Sequence, residues 1–186
     1  MDLVRVVFPT LEFKTLGFSE LSPTGQIPAL QTEHGVLSDS TVSMRYLSDY
    51  FLKSEIYPVD LYPRAEVDLW TEYVNQHVGR HILTLAWQKH WTKVLKKDFD
   101  SQAVELSTAA LSKYLSAIDR QLQGRGSIIG QALTIADINL MGFMMESDHA
   151  ELDLSTWPNL ERWYAMMVKR PKYRDFCAKF PKGDDV

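Results

Sequence analysis

The stretch that decides the fold runs from Ser22 to Ser40 and reads SPTGQIPALQTEHGVLSDS. Proline, glycine and small polar residues at its start and in its middle are typical of tight turns between short strands. An Asp-Ser pair at its end is typical of the start of a helix. The stretch therefore predicts a turn at residues 23–25, a strand entered over residues 27–30, a turn at 33–35, a returning strand at 36–37 and a helix opened by Asp39 and Ser40.

Pro28 stands at the mouth of the first predicted strand. Proline cannot donate to a strand ladder and is confined to edges, first positions and bulges. A cis Ile27-Pro28 bond would leave the backbone groups of Ile27 free to pair with an extended peptide. The N–H groups at the start of the helix after Asp39 form a natural site for a carboxylate. Together these features predict a site for a small extended peptide that carries a carboxylate.

The same residues resemble the cytosolic glutathione transferase superfamily. The pattern of its glutathione-binding half is roughly N-P-x-G-[KQ]-[VI]-P-A-L, then a hairpin, then [ED]-S-x-A-I-x-x-Y-L. This chain departs from that pattern at Ser22, Val42 and Ser43. The matching stretches are SPTGQIPAL at 22–30, DSTVSMRYL at 39–47, LTIADI at 133–138, and WPNLERW at 157–163 followed by Arg170-Pro171.

The resemblance implies that the chain binds glutathione. Ile27 would offer backbone hydrogen bonds to the cysteinyl part, with Pro28 cis, and Gln26 would contact the glycine end. Asp39 would take the γ-glutamyl ammonium, and Ser40 with its amide the γ-glutamyl carboxylate, as suits an acid and a hydroxyl at a helix N-terminus. The residues alone also allow that Asp39 and Ser40 only cap the helix, although capping does not explain Pro28.

The residue that would activate the glutathione thiol has no match, so the catalytic residue is unknown. The family carries a Ser, Tyr or Cys after its first strand, well upstream of the cis-proline, whereas 27 residues precede Pro28 here. Lowering a thiol pKa requires a positioned donor or a positive potential. Leu3–Phe8 is either the tail of the family's first helix, by alignment, or a strand, by its valine content. A reading frame that begins upstream of Met1, or a truncated gene copy, is a further alternative.

The chain changes character near Phe51. Before it, segments are short and strand-like, including Leu11–Phe18, and after it the pattern is helical, with Pro63 where a helix could begin. We predict a shortened thioredoxin-like glutathione-binding domain at 1–50, a linker at 51–62 and an all-helical domain at 63–186. The predicted fold class is α+β followed by all α: a small, incomplete thioredoxin-like domain and a glutathione-transferase helical domain.

Apolar residues at three- and four-residue spacing predict two long helices. A glycine at position 124 ends the second of them. Thr134 and Asp137 form a capping-box pattern, which we interpret as a folding signal for the next helix. The first stripe comprises Val67, Trp70, Tyr73, Val74, His77, Val78, His81 and Ile82, and the second comprises Val104, Leu111, Leu115, Ile118 and Leu122.

Two pairs of side chains invite other interpretations. His77 and His81 could face a metal, but they lie on the apolar stripe without a third nearby ligand, so packed histidines are favoured and no metal is predicted. By the resemblance, Trp87 and Trp91 could line the apolar co-substrate pocket that the family places between its two domains, but core or dimer-interface packing is favoured for them. Cys177, the single cysteine, is expected to be inert.

Bulk composition limits the partners. A net charge of −4 with interspersed signs argues against nucleic acid. The absence of a long apolar run argues against a membrane span, and one cysteine fits a reducing cytoplasm. Composition thus predicts a cytoplasmic location, and the resemblance to the glutathione transferases implies a homodimer that uses the glutathione thiolate on a small apolar electrophile. The alternative is a non-catalytic binding or dimerisation module with the same fold that lacks the thiol-activating residue.

Overall fold

A computed structural model describes Phe18 and residues 21–52 and 56–180 of the chain. The predictions for Leu3–Phe8 and for residues 11–17 lie outside the described residues. Phe18 and Leu21 are helical, and the Ser22 N–H donates to the Phe18 carbonyl at 2.8 Å. The predicted strand over Leu11–Phe18 is therefore wrong at its last residue, where a helical turn precedes the decisive stretch.

A small antiparallel hairpin follows this turn. Strand β1 (Leu30–Thr32) pairs with strand β2 (Gly35–Leu37), with Leu30 opposite Leu37 and Thr32 opposite Gly35. The Thr32 hydroxyl donates to the Gly35 carbonyl at 2.9 Å and accepts the His34 N–H at 3.1 Å, which closes the turn. The predicted hairpin is confirmed, but its first strand begins at Leu30, because Pro28 has no N–H to offer a ladder.

Helix α1 (Ser40–Leu47) begins where Asp39 predicted it and continues as a π-helical turn, Ser48–Leu52. The second helical run is continuous and ends at Lys96, whose φ of 52° is left-handed. It begins two residues before Pro63, which lies in its first turn. Its parts are α2 (Leu61–Tyr73), a π-helical segment (Val74–Gly79), α3 (Arg80–Ala86), a second π-helical segment (Trp87–Trp91) and α4 (Thr92–Leu95).

The rest of the described chain is also helical. Asp100 caps α5 by accepting the Ala103 N–H at 3.0 Å, and Gly124, with a φ of 69°, follows the end of that helix. Prolines occupy the first positions of the last two helices, where their missing N–H costs nothing. The elements are α5 (Ser101–Gln121), α6 (Ile135–Met144), a 3₁₀ turn (Leu154–Thr156), α7 (Pro158–Met167) and α8 (Pro171–Lys179).

The core lies between the long helical run, α5, α6 and α7. The aliphatic residues of both predicted stripes are buried in it or packed against it. This confirms the apolar spacing that predicted the two long helices. None of the helices in residues 21–52 and 56–180 combines the length and apolar character that a bilayer crossing requires. The fully buried stripe residues are Val67, Val74, Val78 and Ile82 from the first stripe, and Leu115, Ile118 and Leu122 from the second.

The Asp137 carboxylate is the polar centre of this core. It is fully buried, and its Oδ2 accepts the Thr134 N–H at 3.0 Å and the Thr134 hydroxyl at 2.9 Å. Its Oδ1 accepts the Ile128 N–H at 2.9 Å and the Trp163 indole N–H at 3.0 Å. The predicted capping box is therefore present, and it also ties α6 to α7 and to the loop after α5.

Candidate functional site

A cavity of about 650 Å³ opens between the start of α1 and the long helical run. It brings together four of the residues that the sequence nominated. Gln26 and Ile27 come from the turn before the hairpin, and Asp39 and Ser40 come from the start of α1. The other lining residues are Gly25, Ser38, Thr41, Val42, Arg45, Glu72, Asn75, Gln76 and Phe143.

The turn before the hairpin presents Ile27 to the cavity. The Ile27-Pro28 peptide is cis, as predicted, and half of the Ile27 surface is exposed. Among the residues that the structure describes, none hydrogen-bonds the Ile27 backbone. Ser22, where the family pattern has Asn, is fully buried and donates its hydroxyl to the Gln26 carbonyl at 2.8 Å. Ser22 thereby fixes the turn, and Pro28 is not among the residues that line the cavity.

Asp39 both caps the helix and faces the cavity. Its Oδ1 accepts the Val42 N–H at 2.9 Å, and its carbonyl accepts the Ser43 N–H at 2.9 Å. Within the described parts of the chain, its Oδ2 has no hydrogen-bond partner. Likewise, no described residue accepts from the N–H groups of Ser40 and Thr41. Capping and ligand binding are therefore compatible here, because each needs different atoms.

The helical side of the cavity carries an ion-pair cluster that sequence reasoning missed. The Arg45 guanidinium contacts Asp68 at 2.9 Å and Glu72 at 3.1 Å, and the Tyr57 hydroxyl donates to Asp68 at 3.0 Å. Partial burial works to lower the pKa of Arg45, but the hydrogen bond to Glu72 and the charge of Asp68 raise it overall. These partners lie more than twenty residues from Arg45 in sequence, so no local pattern signals them.

The tryptophan pair lies elsewhere. Neither Trp87 nor Trp91 lines the cavity, and Trp91 packs edge-on against His149 with ring centroids 5.4 Å apart. The aromatic ring that the cavity does contain is that of Phe143, from α6. Phe143 sits over Gly79 so closely that a Cβ added to Gly79 would lie 2.5 Å from the ring.

His77 and His81 pack as aromatic side chains. Both rings stack on Tyr114, with centroids 4.8 and 5.8 Å away, and the His81 Nδ1 lies 3.3 Å from the Ser107 hydroxyl. Burial lowers the pKa of His81, and the nearby charges of Arg80 and His77 lower it further. In the portion that the structure describes, no group of three or more His, Cys, Asp or Glu side chains has the geometry of a metal site.

Comparison with known proteins gives the family. The sequence profile of the glutathione S-transferase C-terminal domain matches residues 69–171, more than half of the chain. Glutathione S-transferase 3 of Zea mays is 25% identical over 97% of this chain and 83% of its own length. Elongation factor 1-gamma 2 of Oryza sativa subsp. japonica is 25% identical over the full chain but only 44% of its own length. The chain thus spans less than half the length of that elongation factor.

Solved structures agree on the fold. Glutathione S-transferase-I bound with lactoylglutathione superposes with a TM-score of 0.82 at 23% identity, over 95% of this chain and 86% of that one. Glutathione S-transferase III in its apo form superposes with a TM-score of 0.81 at 25% identity, over 97% and 85%. The profile match, the order of the helices and the hairpin before them lead to one conclusion: the chain belongs to the glutathione S-transferase superfamily.

Proposed function

We propose that the cavity binds glutathione and that the chain uses the glutathione thiolate on a small apolar electrophile. The observation that carries this proposal is the meeting of Gln26 and Ile27 with Asp39 and Ser40 in one cavity. The two pairs come from separate stretches of sequence and belong to separate elements. Packing of the core does not require their convergence on an open space, whereas an extended, charged peptide ligand does.

Each residue has a role that its free atoms allow. The Ile27 backbone pairs with the cysteinyl part, and Gln26 reaches the glycine end. Asp39 uses its Oδ2 for the γ-glutamyl ammonium while Oδ1 keeps the cap. Ser40 and the first N–H groups of α1 take the γ-glutamyl carboxylate, because a helix N-terminus favours an anion. Pro28 shapes the turn without lining the cavity.

The electrophile would rest on the apolar side of the same cavity. Phe143 supplies an aromatic surface there, and half-exposed Ile27 faces the cavity from the hairpin side. Aromatic and aliphatic walls suit a small apolar molecule more than a charged one. Trp87 and Trp91 do not border this cavity, so they form no part of the proposed co-substrate wall.

A second candidate is a non-catalytic binding and dimerisation module. It is favoured by the match of the full chain to a protein named as an elongation factor, elongation factor 1-gamma 2. Apolar side chains exposed on two neighbouring elements would form its contact with a second copy. They are Tyr50 and Phe51 after α1, and Val59, Leu61, Tyr62 and Leu69 at and around the start of α2.

Calorimetry of the whole chain with glutathione tests the proposal. Saturable binding that Ser40→Ala weakens is expected, and glutathione at ~100 times Kd raises the free energy of unfolding by about 2.7 kcal/mol. Ser101→Ala is the matched control, since Asp100-Ser101 repeats the Asp39-Ser40 arrangement at the start of α5, away from the cavity. A well-folded chain that does not bind glutathione would refute the proposed site.

Turnover separates the two candidates. A chain that binds glutathione and conjugates chlorodinitrobenzene faster than the uncatalysed reaction is an enzyme. One that binds glutathione without turnover supports the module. In either case, sedimentation equilibrium in the same buffer gives the molar mass and so shows whether the chain dimerises.

A further inference from the structure

A chain of polar side chains crosses from the helical domain to the start of α1. The Asn139 side-chain amide, on α6, donates to the Asn75 Oδ1 at 2.9 Å and to the Thr71 carbonyl at 3.3 Å. The Asn75 amide in turn donates to the Thr41 hydroxyl oxygen at 2.9 Å. Thr41 directly follows Ser40 in the first turn of α1. Three elements are thus joined by a polar relay of Asn139, Asn75 and Thr41.

The direction of this polar relay is fixed at one end by the backbone. The Thr71 carbonyl can only accept, so the Asn139 group that faces it must be the NH₂ group. That same NH₂ group faces Asn75, which must therefore present its oxygen and turn its own NH₂ group toward Thr41. The Thr41 oxygen then accepts, and its hydroxyl proton is free to donate elsewhere. A backbone group of α2 thereby sets the donor pattern at the edge of the cavity.

Burial makes the relay costly to break. Thr41 is 3% exposed, Asn139 is 5% exposed and Thr71 is fully buried. Buried polar groups left without partners are penalised more than a formed hydrogen bond contributes. Asn75 and Thr41 also line the cavity, whereas Asn139 does not. The relay therefore connects a residue remote from the ligand space to the turn that carries Ser40.

We propose that Asn139 and Asn75 are positioning residues for the γ-glutamyl end of glutathione, acting by holding Thr41 and thus the first turn of α1. The inference rests on the proposed glutathione site. Ser40 and the first N–H groups of α1 bind a carboxylate only if that turn keeps its place relative to Ile27. The hairpin is short, so the contact with the helical domain supplies the rigidity that the turn itself lacks.

Calorimetric titration with glutathione tests the relay, using Asn139→Leu and Thr41→Val. Each removes one link and keeps the number and branching of the side-chain heavy atoms, and we expect glutathione binding to weaken about three- to tenfold, the size of one neutral hydrogen bond. Thr41→Ser keeps the acceptor and is expected to bind within about twofold of the parent. The matched control is Ser43→Ala, which removes a buried hydroxyl of α1 that bonds the Leu37 carbonyl outside the cavity.

The double variant separates positioning from general loosening. If both residues act through one relay, Asn139→Leu combined with Thr41→Val weakens binding little more than either alone. Additive losses, or an equal loss in Ser43→Ala, would overturn the inference while leaving glutathione binding in place. Unchanged affinity in Asn139→Leu and Thr41→Val would also overturn it. If the parent chain does not bind glutathione at all, the proposed function is refuted. That result differs from a parent chain that binds glutathione and whose variants contradict the relay.

Discussion

Replacing Asp137, the third residue of α6, should cost more stability than replacing an N-cap aspartate such as Asp39 or Asp100. Its buried carboxylate accepts four hydrogen bonds, from Ile128, Trp163 and, twice, Thr134. Asp137→Ala leaves three N–H donors unpaired, whereas the Thr134 hydroxyl can turn away. At about 1–3 kcal/mol for each unsatisfied buried group, and allowing for relaxation, we expect a loss of about 4 kcal/mol. That is a large part of a typical domain's 5–15 kcal/mol.

Asp137→Asn should lose less stability than Asp137→Ala but more than the loss of a simple helix cap. Its amide oxygen can still accept from Ile128 and Trp163, but its NH₂ group then faces the Thr134 N–H. Burial raises the pKa of Asp137, although its four hydrogen-bond donors work to lower it. Removing the charge therefore also removes a desolvation cost. We expect a loss of about 2 kcal/mol, for one unpaired donor and a poor contact.

Urea unfolding followed by circular dichroism and tryptophan fluorescence measures these losses. Asp100→Ala is the matched control, because Asp100 caps α5 with a single hydrogen bond at an exposed site and a cap of this kind contributes typically ~1 kcal/mol. The expected order of destabilisation is Asp137→Ala, then Asp137→Asn, then Asp100→Ala. A loss in Asp137→Ala no greater than in Asp100→Ala would refute the argument from unsatisfied donors.

Further predictions concern the packing of Gly79, the titration of His81 and the exposed apolar residues at the start of α2. Gly79→Ala should destabilise the chain by about 1–3 kcal/mol, the range for overpacking, because the new Cβ would clash with the Phe143 ring. Urea unfolding measures this loss, and adding Phe143→Leu to the same chain should restore part of it. His81 should titrate in NMR below its ordinary pKa of 6.5 because it is partly buried. Its stabilising contribution is then present above the unfolded pKa and is lost as the pH falls from there through the lower folded pKa. His81→Gln should flatten the melting-temperature profile in that range, and a folded pKa at or above 6.5 contradicts this. If a homodimer forms through the apolar residues at the start of α2, Leu61→Glu with Tyr62→Glu should shift sedimentation to the monomer, whereas Leu106→Glu, at an exposed site on α5, should not.

Local sequence signals predicted much of the fold. The turns around the hairpin, the cap at Asp39 and the two apolar stripes all depend on residues within a few positions of one another. The structure confirms them for that reason. The strand predicted over Leu11–Phe18 is wrong at Phe18, which is helical. The strand propensity of the residues before it did not reveal this. The π-helical segments within the long run were not foreseen, since the apolar spacing hardly changes across them.

The candidate site could be predicted only on one side. Gln26, Ile27, Asp39 and Ser40 belong to a compact motif, so their resemblance to a family pattern was readable. Long-range contacts form the other side. Its members are Arg45 with Asp68 and Glu72, the relay of Asn139, Asn75 and Thr41, and Phe143 over Gly79. Trp87 and Trp91 were nominated through the family's co-substrate pocket and do not line this cavity, because the sequence alone does not reveal which face of a helix meets a cavity.

The folding signal and the proposed site share one helix, and this links stability to binding. Asp137 fixes the first turn of α6 in the core, and Asn139 follows two residues later, at the start of the next turn. Displacing that turn moves Asn139 away from Asn75, and the relay then no longer holds Thr41. Loss of glutathione affinity in an Asp137 variant would therefore not make Asp137 a ligand-binding residue. Binding must be compared at equal folded fraction, and only an effect that persists there, as expected for Asn139→Leu, belongs to the site.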